Sequence, residues 1–68
     1  MVIVNGKELD VANKSIATLV EEEGYNLSRI AIELNGDIVP KCNYDKTILK
    51  NGDKLEVVTF VGGGWYYE

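Results

Sequence analysis

The chain has 68 residues, of which 46% are hydrophobic and 26% are charged, the composition of one small globular domain. Its net charge is −4 and its seven basic residues are scattered, which argues against a nucleic-acid partner and favours a partner with a basic docking face. The sequence contains no histidine and one cysteine, so it shows no nucleophile–base pair or metal cluster of the kind that an independent enzyme needs.

The first predicted element is a β-hairpin. Met1–Val4 and Lys7–Val11 flank the dipeptide Asn5-Gly6, which favours a type I′ turn. This turn would place Val4 opposite Lys7, and opposed residues share a face of the sheet. The predicted inner face carries Val2, Val4, Leu9 and Val11, and Ile3 is predicted on the outer face.

A short helix follows over residues 16–23. Ser15 is a suitable N-cap, and Gly24 suits the left-handed position after the last turn. Three apolar residues at i, i+3 and i+4 form one face that would pack on a sheet; they are Ile16, Leu19 and Val20. In the loop beyond the helix we expect Leu27 to point inward.

The next strands are short and are separated by turns. Residues 29–34 alternate, which predicts a strand with its buried face on Ile30, Ile32 and Leu34. The turn at 35–37 leads to an extended pair, Ile38-Val39, and Pro40 after it indicates an edge strand. We expect a 3₁₀ or irregular turn over 41–45, a very short strand at 47–49 and a third turn at 50–53.

The final strand, Lys54–Val61, is predicted to lie at the centre of the sheet because it is the most apolar segment. The element order indicates an α+β roll: a mixed sheet of four or five strands with one helix on one face. If the first and last strands are neighbours, three apolar residues meet on the uncovered face as a partner-docking patch. These residues are Ile3, Val58 and Phe60.

Three glycines, Gly62–Gly64, follow the final strand and are followed in turn by Trp65-Tyr66-Tyr67-Glu68. We call these the glycine segment and the aromatic tail. Glycines without side chains do not extend a strand inside a core, but they fit a narrow channel in another protein. The domain prediction is therefore a folded unit over 1–61 and a flexible C-terminal tail over 62–68.

Several of these features occur together in one known family. The series comprises Asn35–Pro40, Leu49–Asp53, the strand Leu55–Phe60 and the closing Gly63-Gly64. It resembles the ThiS family, the sulfur carriers of thiamine biosynthesis, which are small ubiquitin-like β-grasp proteins. The resemblance covers the chain up to Gly64. The molybdopterin sulfur carriers are similar in fold and ending but are usually somewhat longer.

The resemblance implies a mechanism centred on Gly63 and Gly64, with Gly62 as spacer. An adenylating, E1-like enzyme would use ATP and Mg²⁺ to adenylate the terminal glycine carboxylate. Sulfur from a donor such as a cysteine desulfurase would then replace AMP, and the thiocarboxylate would deliver sulfur on a thiazole synthase. The carrier itself would bind no cofactor and would not be an enzyme. Since we find no signal peptide and no apolar run of membrane-spanning length, we expect a cytoplasmic protein.

One departure from the family is the aromatic tail, since Gly64 in a peptide bond has no free carboxylate. A protease could remove residues 65–68, which is the hypothesis we favour. Alternatively, the chain is a relative that no longer carries sulfur, or the tail packs back on the protein or on a neighbour. The remaining function hypotheses are a molybdopterin-type carrier and a β-grasp interaction module that keeps its tail.

Two further features are interpreted as structural. Cys42 is predicted to be a small, half-buried turn residue and not a sulfur acceptor. Glu21-Glu22-Glu23 is predicted to be a solvated helix face and not a recognition patch.

Overall fold

The computed structural model describes residues 1–60, which form five strands, one α-helix and two 3₁₀ turns. In chain order the elements are β1 (Val2–Val4), β2 (Lys7–Leu9), α1 (Ile16–Glu23), a 3₁₀ turn (Leu27–Arg29), β3 (Ile30–Leu34), β4 (Asp37–Val39), a second 3₁₀ turn (Lys41–Asn43) and β5 (Lys54–Thr59). No helix within these sixty residues is both long enough and apolar enough to cross a bilayer.

The strands form one mixed sheet with the order β2-β1-β5-β3-β4. β5 lies at its centre, parallel to β1 and antiparallel to β3. The hairpin register is the predicted one, with Val2 opposite Leu9 and Val4 opposite Lys7. The predicted α+β roll and the central position of the last strand are therefore confirmed.

Helix α1 has the predicted ends. The Thr18 backbone N–H donates to Ser15 Oγ at 3.1 Å, and Gly24 adopts φ 77° while its N–H bonds carbonyls of the last turn. The helix covers one face of the sheet, and the core lies between them. Its buried apolar residues are Val2, Val4, Val11, Ile16, Leu19, Val20, Ile30, Ile32, Tyr44, Leu49, Leu55 and Val57.

Leu27 is the clearest error of the sequence-based prediction, because its side chain is 48% exposed. The Asn26 side chain accepts the Ser28 N–H at 3.1 Å and closes a 3₁₀ turn that Leu27 begins. Ile30, which is buried, takes the inward position at the start of β3. Arg29, predicted as part of this strand, belongs to the 3₁₀ turn.

Other predicted boundaries shift by a few residues. The segment 47–49 makes one isolated bridge between Ile48 and Ser15 and is not a strand, although Leu49 is fully buried. β2 ends at Leu9, two residues before the predicted end. Leu34 lies on the predicted face but is half-buried, since it sits at the end of β3.

Candidate functional site

The strand that leads to the glycine segment is fixed on both sides where it starts. The Ile3 N–H donates to the Asp53 carbonyl at 2.9 Å, and the Asn35 N–H donates to the Lys54 carbonyl at 2.8 Å. Leu55 pairs with Val4 of β1 and Leu34 of β3. The start of β5 is therefore held between two strands of the same sheet.

The Asn35 side chain adds a second layer of bonds at this point. Its Oδ1 accepts the Lys54 N–H at 2.9 Å, and its Nδ2 donates to Asp53 Oδ1 at 3.1 Å. The other Asp53 oxygen accepts the Lys50 N–H at 2.8 Å. The turns at 35–37 and 50–53 are thus tied together, which gives the two family-like turn motifs a shared structural role.

Asn5 extends the contact between β1 and β5 beyond the end of β1. The backbone turns away at Asn5, whose φ is 50°, while its N–H still donates to the Leu55 carbonyl at 3.0 Å. Its side-chain amide then bonds the next residue on that edge: Oδ1 accepts the Val57 N–H at 2.8 Å and Nδ2 donates to the Val57 carbonyl at 3.3 Å. The side-chain amide therefore replaces a backbone peptide as the partner of Val57.

The far end of β5 has a strand on one side. Val58 pairs with Ala31 and Thr59 with Ile30, and the Phe60 N–H donates to the Arg29 carbonyl at 2.7 Å. The ladder with β1 stops at Leu55. The described part of the chain thus ends beside β3, next to the 3₁₀ turn at 27–29.

The predicted reactive residues, Gly62, Gly63 and Gly64, lie outside the residues that the structure describes, as does Val61, the predicted end of the last strand. Their roles remain predictions. The described residues lead to them directly, since Phe60 is two positions before Gly62.

The predicted docking patch is divided by the register. Ile3, Val58 and Phe60 share the face that α1 does not cover, but Ile3 lies opposite Lys54. Val58 is four residues further along β5, which at 3.3 Å per residue is about 13 Å. The prediction that all three residues meet is therefore wrong, although their common face was predicted correctly.

The structure instead brings other apolar residues to the exit of β5. Phe60 lines a groove with Ala31, Ile38 and Pro40, and Arg29 and Lys41 are part of the same lining. Ile38 is 64% exposed because it lies opposite Glu33 on the uncovered face. The sequence prediction missed Ile38, although its place one residue before an inward-facing Val39 was a usable signal.

Tyr44 is also part of the lining of this groove. Its side chain is 3% exposed. Burial raises the pKa of the Tyr44 hydroxyl above its usual value, and a hydrogen bond with the Ile32 backbone acts in the opposite direction. Tyr44 is thus a neutral structural residue that connects the second 3₁₀ turn to β3.

Cys42 and the acidic residues at the end of α1 lie on the surface of the described structure. Cys42 is a free, exposed cysteine, so the prediction of half-burial is wrong: the 3₁₀ turn directs it outward. Glu21–Glu23 are exposed, as predicted, and Glu22 pairs with Lys14 at 2.8 Å. Within residues 1–60, no group of three or more His, Cys, Asp or Glu side chains is placed to hold a metal ion.

Comparison with known proteins identifies relatives over almost the whole chain. The model of the ThiS family matches residues 2–64. A thiazole synthase of Paramagnetospirillum magneticum is 40% identical over 63 residues, which cover 91% of this chain and 19% of that synthase. The sulfur carrier protein ThiS of Thermus thermophilus is 31% identical over 64 residues, which cover 94% of this chain and 100% of that protein.

A solved structure shows the same fold. The crystal structure of a thiamine biosynthesis protein (ThiS) from Geobacter metallireducens has a TM-score of 0.75 to this chain at 31% identity, covering 93% of this chain and 97% of that one. The likeness supports the predicted ubiquitin-like β-grasp roll. The family match ends at Gly64, so the aromatic tail lies beyond the region that the family shares.

Proposed function

The chain belongs to the ThiS family, whose model matches residues 2–64, and on this basis we propose that it is a sulfur carrier of thiamine biosynthesis. The working group is the backbone carboxyl of Gly64, which becomes free when residues 65–68 are removed. The end of the family match at Gly64 is the observation that carries this proposal.

The chemistry needs no catalytic side chain from the carrier. A carboxylate is a poor electrophile until one of its oxygens becomes part of a good leaving group, which adenylation with ATP and Mg²⁺ on a partner enzyme provides. A persulfide donor then attacks the acyl adenylate and AMP leaves, and a thiol reductant cleaves the resulting acyl disulfide to give a thiocarboxylate, a soft anionic nucleophile comparable to a thiolate. This sequence of steps agrees with a chain that has no histidine.

The described geometry supports presentation of that carboxyl. β5 is fixed at its start by β1, β3 and the Asn35 side chain, and further along by the Asn5 side chain, which bonds Val57. Four residues, 61–64, extend beyond Phe60, and an extended segment of that length reaches about 14 Å. A partner enzyme could therefore hold the sheet at its surface and take the glycine segment into a narrow channel.

A thiazole synthase is the proposed recipient of the sulfur. The support is that a Paramagnetospirillum protein named thiazole synthase contains a region 40% identical to this chain. For docking on the adenylating enzyme we propose the uncovered face near the exit of β5. Val58 and Phe60 of the predicted patch lie there, and Ile38 joins them, whereas Ile3 lies at the other end of that face.

The experiment compares two forms of the chain, one that ends at Gly64 and the full 68-residue form. Each is incubated with a ThiS-adenylating enzyme, ATP, Mg²⁺, a cysteine desulfurase with cysteine and a thiol reductant, and its intact mass is measured. We expect the form ending at Gly64 to exchange one oxygen for sulfur and the full-length form to remain unchanged. If the form ending at Gly64 is never adenylated or sulfurated, the proposal is wrong.

Two further measurements separate the alternatives. Addition of a thiazole synthase should consume the thiocarboxylate, whereas consumption by a molybdopterin synthase alone would assign the chain to that pathway. Intact mass of the protein isolated from its own cells shows whether residues 65–68 are removed. A stable C-terminus at Glu68 would instead support an interaction module that retains its tail.

A further inference from the structure

A second groove is lined by α1, by the segment that follows it and by the second 3₁₀ turn, and we call it the helix-side groove. The groove that Phe60 lines is called the β5 groove. The helix-side groove has a volume of about 580 Å³, against about 390 Å³ for the β5 groove. A cavity of this size accommodates an anchoring side chain of a partner. The chemistry proposed above makes no use of it.

Leu27 gives the helix-side groove an exposed apolar wall. Its side chain is 48% exposed, although water is an unfavourable environment for a leucine. The backbone that carries it is fixed, because Asn26 Oδ1 accepts the Ser28 N–H at 3.1 Å and the Ser28 hydroxyl at 2.8 Å. The Arg29 N–H also donates to the Asn26 carbonyl at 2.9 Å. An apolar side chain on a fixed backbone loses less conformational entropy when a partner covers it.

Other residues of the lining are held by backbone hydrogen bonds. The Ala17 N–H donates to the Tyr44 carbonyl at 3.0 Å, and the Tyr44 N–H donates to the Lys41 carbonyl at 3.1 Å. These bonds tie the second 3₁₀ turn to α1. The Tyr25 N–H donates to the Val20 carbonyl at 3.1 Å, which holds the tyrosine at the end of the helix. The helix-side groove is therefore formed before any partner binds.

The two grooves differ in charge. The helix-side groove is lined by two carboxylates, Glu21 and Asp45, and by one cation, Lys41. The described lining of the β5 groove has two cations, Arg29 and Lys41, and no carboxylate. Because an interface favours a partner of complementary charge, the two grooves favour different partner surfaces.

The carboxylates of the helix-side groove have no salt-bridge partner within residues 1–60, since the ion pair described there does not involve Glu21 or Asp45. Tyr25 adds an aromatic ring to the same lining. Arginine suits this combination, because its guanidinium bonds carboxylates with a planar fork and stacks on aromatic rings. The groove therefore fits a protein segment in which an arginine lies next to a large apolar side chain that covers Leu27.

We propose that the helix-side groove is the docking site of the thiazole synthase, which presents such a segment to it. This assignment rests on the proposed function, in which two enzymes act on one carrier. The adenylating enzyme takes the uncovered face beside the β5 groove, and the groove of opposite charge serves the second enzyme. Lys41 and Tyr44 line both grooves, so the two docking sites are neighbours. Each enzyme then recognises the carrier by a surface of its own.

The experiment measures binding of the carrier to a purified thiazole synthase and, separately, to the adenylating enzyme of the same organism by isothermal titration calorimetry. Each variant is made in the full 68-residue chain and in the form that ends at Gly64. Leu27→Ser should weaken binding to the synthase about tenfold or more, because it removes the apolar contact. Binding to the adenylating enzyme should be insensitive to this variant. Ile48→Ser is the matched control, since Ile48 is also 48% exposed and lines neither groove.

The charge of the groove is tested by the double variant Glu21→Gln, Asp45→Asn. It should weaken binding to the synthase and reduce the dependence of that binding on salt, because both carboxylates that attract the arginine are lost. The double variant Glu8→Gln, Asp10→Asn removes two exposed charges outside both grooves and controls for net charge.

Cys42 provides a readout that needs no substitution. It is a free, exposed cysteine in the lining of the helix-side groove. Bound thiazole synthase should slow its alkylation by iodoacetamide several-fold, whereas the adenylating enzyme should leave the rate unchanged. Intact mass follows the reaction, since the chain has one cysteine.

Equal effects of Leu27→Ser and Ile48→Ser on synthase binding would overturn the proposal. A synthase that leaves the alkylation of Cys42 unchanged, or that binds neither form of the chain, would do the same. Protection of Cys42 that appears without any enzyme and increases with carrier concentration would assign the groove to a second copy and would also overturn it. Failure of the proposed function is detected separately, as a form ending at Gly64 that is never sulfurated, by intact mass and without a docking measurement.

Discussion

The two ends of β5 differ in how the sheet holds them. At the start, Lys54 and Leu55 have a strand on each side, and the Asn35 side chain bonds the Lys54 N–H. At the end, Val58 and Thr59 pair with β3, while β1 has already turned away at Asn5. One strand thus changes from a doubly held core element to a singly held one over six residues.

This difference indicates a division of labour along the strand. The start of β5 anchors the strand in the core, and its end, which among the described strands pairs with β3 alone, precedes the glycine segment in the sequence. The Asn5 side chain acts between these two ends of β5, since it bonds both the backbone N–H and the carbonyl of Val57. Three substitutions test this gradient, beginning with the largest expected effect.

The anchoring end is tested by Leu55→Ala. Leu55 is fully buried, and truncation of such a leucine removes apolar contacts and leaves a cavity, which costs about 2–5 kcal/mol of unfolding free energy. Val58→Ala, the control at the singly held end, removes a side chain that is 48% exposed and should cost far less. Urea unfolding of both variants measures the difference.

Equal destabilisation by Leu55→Ala and Val58→Ala would contradict the gradient. If Leu55→Ala leaves no folded protein at all, the milder Leu55→Val variant makes the same comparison, with a cost of about 1 kcal/mol expected for loss of one methylene.

The transition point is tested by Asn5→Gly. Glycine keeps the positive φ of the turn but removes both bonds to Val57, and a partly buried N–H left without a partner costs about 1–3 kcal/mol. We expect lower stability together with faster amide hydrogen exchange at Val57 than at Leu55. The measurements are urea unfolding and exchange followed by NMR.

Asn13→Gly is the matched control for this substitution. Asn13 also has a positive φ, 72°, but its described hydrogen bond is made by the backbone, N–H to the Leu49 carbonyl at 2.7 Å. The same substitution there should be close to neutral. If Asn13→Gly costs as much as Asn5→Gly, the side-chain bonds to Val57 are not what stabilises the junction.

The smallest effect is expected midway along β5, at Glu56. Glu56 lies directly opposite Glu33, and like charges in opposed positions destabilise a sheet, so Glu56→Gln should raise stability by about 0.2–1 kcal/mol. Glu8→Gln, which removes the same charge opposite Ile3, should leave stability nearly unchanged. Thermal unfolding at low ionic strength compares the two, and a gain that is equal in both variants would point to net charge instead.

The sequence predicted the parts of the fold that depend on local signals. The Asn5-Gly6 turn fixed the register of β1 and β2, and the Ser15 and Gly24 caps gave both ends of α1. Alternation in Ile30–Leu34 and in Lys54–Thr59 assigned the correct face to each residue. Each of these signals is contained within a few neighbouring residues.

The failures concern contacts between distant segments. No turn joins β1 to β5, so the pattern could place Ile3 and Val58 on one face but could not set their level along it. The same limit applies to Asn5, whose bonds to Val57 span 52 positions. At the end of β5, the groove arises because Ile38 of β4 and Phe60, the residue after β5, lie on either side of β3 in the sheet, a placement that no local pattern shows.

The sheet order carries a consequence for the order of folding. Its two hairpins, β1–β2 and β3–β4, do not pair with each other, because β5 lies between them. β5 also follows the other four strands in the chain. During synthesis the halves of the sheet therefore remain without their common neighbour until the last strand arrives, and non-local pairing of this kind is slow. We therefore expect the complete five-stranded sheet to form late, only after β5 has emerged from the ribosome.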